Sequence, residues 1–299
     1  QGGATVETFN NQGIIGNGTS NFGVVIWGSD SSKSTINNFN NSGTIHSNNG
    51  ESIYLGNANV STFNNSGTIK SNNREGINIG TGVTIQTIDN SGLIQGNDIG
   101  INIANGTTID NFTNSGLIHS SGNYGSLYLN RATVKTITNN GTIINNGTLQ
   151  PSTNVDVSSG TFLIYSTIEN FTNTGLISGI TGVKLPRTTI NTFTNKGTIE
   201  STGDSTLAAA ISLSTIRESP STIENLINEG LIKSKSNGII AEAGNYINTL
   251  INKGTIEANL NGITFYDHGS VSGSTMKLDK IILKEGSSIK AGNNGINID

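Results

Sequence analysis

Apolar residues along this chain recur in short bursts of period two, separated by Gly, Asn and Ser. They never settle into the 3.6-residue rhythm of an amphipathic helix, so the bursts predict strands. One string carries the rhythm: Ile/Val-x-x-Phe/Ile/Leu-x-Asn-x-Gly-x-Ile. Its glycines are Gly13, Gly43, Gly67, Gly92, Gly116, Gly141, Gly175, Gly197, Gly230 and Gly254, and a degenerate copy without the Asn lies near Gly286. Six intervals between consecutive copies run from 22 to 25 residues and four run from 30 to 34. A second patch, Gly followed by Ile-x-Ile or similar, follows most copies, as in Gly76-Ile77-Asn78-Ile79 and Gly182-Val183-Lys184-Leu185.

Each repeat therefore holds three short apolar segments, enough for one three-sided turn of a solenoid. The expected fold is all-β: a right-handed three-sided parallel β-helix of about eleven coils, residues 1–299 forming a single domain. Equivalent strands would stack about 4.8 Å apart, giving a rod of roughly 50 Å. Right-handedness follows from the general preference of parallel crossovers. Alternation points Phe39 and Asn41 of the first segment inward together. The same reasoning builds two internal columns. One runs Phe9, Phe39, Phe63, Ile88, Phe112, Ile137, Phe171, Phe193, Leu226, Leu250; the other is ten Asn residues from Asn11 to Asn252. Buried amides without partners are costly, so the Asn column must hydrogen-bond along the axis. The Gly two residues on is expected to supply a positive φ at the bend.

Composition alters the picture in a few places. Apolar residues make up only 32% of the 299 residues, which a repeat protein tolerates because each unit shares its buried face with its neighbours. The net charge is −4 with no basic stripe, which argues against nucleic acid as a partner. The absence of Cys excludes disulfides and thiolate metal sites. No apolar run is long enough for a membrane-spanning helix. Starting at Gln1 and stopping in mid-repeat at Asp299, the chain reads as a fragment of a longer protein.

Candidate chemistry is sparse. Outward charges alternate in sign from coil to coil, as in Glu200, Lys233, Glu257, Lys290; in Lys196, Glu229, Lys253; and in Asp110, Lys135, Glu169. Such rows suit surface ion pairs better than the paired carboxylates of a glycosidase. His46 and His119 share an outward column but stand about 14 Å apart, too far to share a metal. Tyr266-Asp267-His268 has no visible nucleophile. No catalytic residue, metal site or cofactor is expected. Specificity should lie where coils depart from the repeat, at 16–35, 144–166, 200–221 and 257–280. These stretches contain Phe22 and Trp27; Pro151 and Tyr165; the apolar run Leu207-Ala208-Ala209-Ala210-Ile211 with Arg217; and Phe265, Tyr266 and His268. The middle residue of the third segment points outward, giving Tyr54, Asn78, Asn102 and Tyr128 on consecutive coils. Trp27 joins them if its strand runs Val24 in, Val25 out, Ile26 in, Trp27 out. Aromatic and amide side chains on a flat sheet suit docking to a glycan or protein surface, although Tyr also favours strands for its own sake.

The strings Asn-Asn-Ser-Gly-Thr-Ile (40–45 and 64–69), Thr-Asn-Ser-Gly-Leu-Ile (113–118) and Thr-Asn-Lys-Gly-Thr-Ile (194–199) resemble the passenger domains of bacterial autotransporters. The resemblance is closest to Asn/Gly-rich adhesins and vacuolating-cytotoxin-like passengers, and it covers almost the whole chain. It implies export to the surface of a Gram-negative cell and display by a C-terminal β-barrel outside this chain. Serine-protease passengers carry Gly-Asp-Ser-Gly-Ser; Gly203-Asp204-Ser205-Thr206 departs from it, so no nucleophile carries over. The expected function is a surface-displayed adhesin or self-association module whose partner is a host-cell surface protein, a glycan or another copy. A toxin-like passenger fragment and a carbohydrate-active β-helix are the alternatives.

Overall fold

The computed structural model describes residues 3–16, 20–148, 158–214, 219–266 and 277–298. Every regular element among them is a strand. The strands form three parallel sheets of eleven, and each sheet takes every third strand of the chain. The second coil shows the pattern: Ser34–Asn41 in the first sheet, Thr44–Ser47 in the second and Ile53–Gly56 in the third. This is the three-sided parallel β-helix of eleven coils that the repeat predicts.

The internal columns follow from the register. Phe9 pairs with Phe39 and Phe39 with Phe63, so their rings stack at centroid distances of 4.6 Å in both pairs. Phe171 and Phe193 repeat this at 4.7 Å, with planes 4° apart. From Phe39 to Leu250 every member of this column is buried, and the Ile residues of the second sheet close the core beside it. Beyond the rings lies the Asn ladder. The Nδ2 of each Asn from Asn11 to Asn228 donates to the Oδ1 of the Asn in the following coil, at 2.7–2.9 Å. Most of these Nδ2 groups also lie within reach of the carbonyl of the Gly two residues on and of a carbonyl in the next coil, as Asn114 does with Gly116 and Thr142. The ladder stops where Asn252 meets Leu283 in register.

The reason for the Gly in Asn-x-Gly differs from the expected one. Among the described glycines positive φ occurs at Gly16, Gly82, Gly106, Gly244 and Gly286, so from Gly13 to Gly254 no motif glycine needs it. The constraint is steric. A Cβ built on Gly43 overlaps the carbonyl oxygen of Gly13, one on Gly67 overlaps that of Gly43, and the pattern continues to Gly254 over Gly230. The backbones approach this closely because the main-chain carbonyl of each ladder Asn from Asn11 to Asn228 accepts two N–H groups from the next coil. Asn41 receives those of Ser66 and Gly67, at 2.8 and 3.1 Å.

In coils one to ten this corner has only two residues between strands, so it admits no insertion. In these coils all extra length falls at the other two corners. The run Leu207–Ile211, expected in an insertion, is corrected here: Ala209–Leu213 is a strand of the third sheet, and Ala208 to Ile211 are fully buried. Both faces of this strand are buried.

Candidate functional site

The outward column of the third sheet runs, in register, Val25, Tyr54, Asn78, Asn102, Tyr128, Phe162, Lys184, Ser212, Ile240 and Thr264. It divides into two halves. Tyr54, Asn78, Asn102 and Tyr128 are partly exposed. From Phe162 to Thr264 the same positions are buried: Phe162 is 6% exposed, Lys184 8% and Ile240 2%. Three of the four longer repeats lie in this buried half. The open face is thus confined to the early coils.

Trp27 is outward and 65% exposed, but it is in register with Gly56 rather than Tyr54. It reaches the column through its ring, which stacks on Tyr54 at 5.5 Å and 25°. Glycines make room for this platform: a Cβ on Gly56 or Gly80 would meet the Tyr54 ring or its hydroxyl. At the other end Tyr128 contacts Tyr124 at 5.5 Å and Phe162 at 5.4 Å, both tilted. Burial raises the phenol pKa of Tyr54 and of Tyr128, so both remain neutral donors at physiological pH. Between the two aromatic ends the amides are oriented. Asn78 donates to Glu51 Oε1 at 3.0 Å, and Asn102 donates to Asn78 Oδ1 at 3.1 Å. The Oδ1 of Asn102, at the end of this relay, has no hydrogen-bond partner.

Sequence reasoning missed Tyr124, Phe162 and Glu51. Phe162 follows a long connection, so only the register reveals its column. Glu51 belongs to a corner rather than a strand and escapes a search by strand columns. Glu75 and Asp98 occupy the same corner on the next two coils. Burial pushes the Glu75 carboxyl up, a hydrogen bond from its own backbone pulls it down, the charges of Glu51 and Asp98 raise it again and that of Arg74 lowers it. Glu75 Oε2 is shielded from solvent and unpartnered.

The charge rows behave as surface pairs. Glu229 contacts Lys253 at 2.8 Å and Lys196 at 3.8 Å, which holds its carboxyl below the usual range, the Lys253 hydrogen bond contributing most. Lys233 pairs with Glu200 at 3.4 Å, Lys290 with Glu257 at 3.0 Å and Lys135 with Asp110 at 2.5 Å. His46 and His119 share a column with Lys70 and Gln95 between them, and burial lowers the His119 pKa. Tyr165 holds an unforeseen cluster: Arg131 and Arg187 lie over its ring at 4.4 and 4.8 Å. Among the described residues no group of three or more His, Asp or Glu is arranged to hold a metal ion. No helix among them is long and apolar enough to cross a membrane. Pro151, Arg217, Asp267 and His268 lie outside the described residues.

No protein-family model, no curated protein and no solved structure matches this chain.

Proposed function

We propose that this chain is a surface-displayed recognition module: an autotransporter-type passenger, carried at the surface of a Gram-negative cell, that attaches to a host-cell or bacterial surface ligand. One observation carries the reading. The outward positions of the third sheet are buried over its later coils and left open where Trp27, Tyr54, Asn78, Asn102 and Tyr128 gather. Aromatic side chains give large contact area at low entropic cost, and amides add directional hydrogen bonds. The ion-pair rows elsewhere are exposed and contribute little to binding.

A carbohydrate-cleaving reading would rest on Glu51, Glu75 and Asp98, which form an acidic row on consecutive coils. It comes second because the shielded Oε2 of Glu75 is out of reach of a glycosidic oxygen. Attachment assays separate the readings. Trp27→Ala with Tyr54→Ser and Tyr128→Ser should reduce cell attachment while the far-UV CD stays β-rich. Reversing the Glu200, Lys233, Glu257 row should leave attachment nearly unchanged. Normal attachment by the aromatic variant, with loss on charge reversal, would mean that another face binds.

A further inference from the structure

We infer that the open face of the third sheet binds a neutral oligosaccharide of at least three rings, lying along the solenoid axis. The inference rests on the recognition role proposed above and names its ligand class. Its first support is spacing. Tyr54 and Tyr128 are three coils apart in one column, about 14 Å at the parallel-strand repeat. That gap holds two Asn side chains and no apolar one, so the face offers rings at the ends and amides between them. A chain of pyranose rings has the matching surface: apolar C–H faces for stacking and equatorial hydroxyls that donate and accept.

The second support is the unfilled acceptor. Glu51 can only accept when ionised, so it fixes the Asn78 amide with its Nδ2 toward the carboxylate. Asn78 Oδ1 then fixes Asn102 in the same sense. The polarity of the relay leaves Asn102 Oδ1 as a shielded acceptor without a donor beside Tyr128. Such an atom costs free energy until a donor arrives; it is enclosed as the face stands, so the partly exposed Asn102 side chain turns outward to take a sugar hydroxyl, which supplies the donor that the relay lacks. The third support is charge. The flank of the face carries three carboxylates, Glu51, Glu75 and Asp98, against one cation, Arg74, and no position from Val25 to Tyr128 in the column is cationic. The nearby Arg131 lies over the Tyr165 ring. Uronic, sialylated and sulfated glycans would meet carboxylates there, so the ligand is neutral.

Trp27 is the only Trp in the chain and stacks on Tyr54, so its fluorescence reports directly on the site. The 299-residue chain is titrated with cellotetraose, N-acetylchitotetraose and lacto-N-tetraose, with the corresponding disaccharides, and with tetragalacturonate as the anionic comparator. At least one neutral tetrasaccharide should shift Trp27 emission saturably. Its disaccharide should bind about tenfold weaker, and Asn102→Leu should weaken the tetrasaccharide about tenfold, as loss of one hydrogen-bonded contact implies. Tyr128→Ser provides the same test if Asn102→Leu folds poorly by CD. Equal affinity for disaccharide and tetrasaccharide, preference for tetragalacturonate, or no response to any neutral tetrasaccharide overturns the inference. If none of these sugars binds while the aromatic triple variant still loses cell attachment, the recognition role stands and its ligand is a protein. If that variant attaches normally, both fall.

Discussion

Replacing Asn114 by Ala tests the physical core of this fold. Asn114 is fully buried in the middle of the ladder. Its amide accepts from Asn90 at 2.8 Å, donates to Asn139 at 2.8 Å, and approaches the carbonyls of Gly116 and Thr142 at 3.3 and 3.2 Å. Truncation removes these contacts and opens a small void. It also strips Asn139 Oδ1 of its ladder donor, while Asn90 Nδ2 keeps only the carbonyl of Gly92, at 3.3 Å. One buried group losing its donor costs about 1–3 kcal/mol, and the lost bonds and void add a similar amount, so the expected loss is roughly 2–5 kcal/mol. At a urea slope of about 3 kcal/mol/M the midpoint falls by about 1 M. Asn123→Ala, in a turn, should change stability by less than about 0.5 kcal/mol. Far-UV CD melts in urea compare the two variants. Because a solenoid can unfold in segments, hydrogen exchange at Ile118 and Ile143 locates the loss. Equal midpoints for Asn114→Ala and Asn123→Ala would refute the claim that the ladder bears stability.

Two further outcomes follow from the corners. Gly67→Ala should destabilise strongly, since its Cβ overlaps the Gly43 carbonyl, whereas Gly13→Ala meets nothing within 4 Å and should be tolerated; equal losses in thermal melts would return the explanation to backbone conformation. Glu75 has a folded-state pKa raised chiefly by burial, so the folded chain holds its proton more tightly than the unfolded chain does. Its contribution to stability is therefore fully present below the ordinary carboxylate pKa and is lost as pH rises through the raised value. Glu75→Gln should accordingly gain stability over wild type as pH increases from about 4 to about 8, and a urea-midpoint difference independent of pH would contradict the assignment.

The architecture and its interior were legible in the sequence because both are set by local rules repeated many times. Alternation fixes which residues point inward, and a shared period forces Phe onto Phe and Asn onto Asn once coils stack. Ten in-register amides can be satisfied only by one another and by the turn backbone, so the ladder too was implied. The outward direction of Tyr54, Asn78, Asn102 and Tyr128 followed from the same alternation.

What only the tertiary structure decided lies between coils and at corners, where spacing in sequence does not fix spacing in space. The motif glycines from Gly43 to Gly254 are required by a carbonyl one coil away, a contact between residues 22 to 34 positions apart. Trp27 reaches Tyr54 across a two-residue offset in register, which depends on how the first coil seats on the second. Glu51 orients the amides from a corner that strand alternation does not describe. The division of the third sheet into an open and a buried half is not written in the alternation either: Phe162 and Ile240 are buried despite standing at outward positions. Period and polarity determine the inside of a solenoid; burial on its outside is set by contacts that the period does not encode.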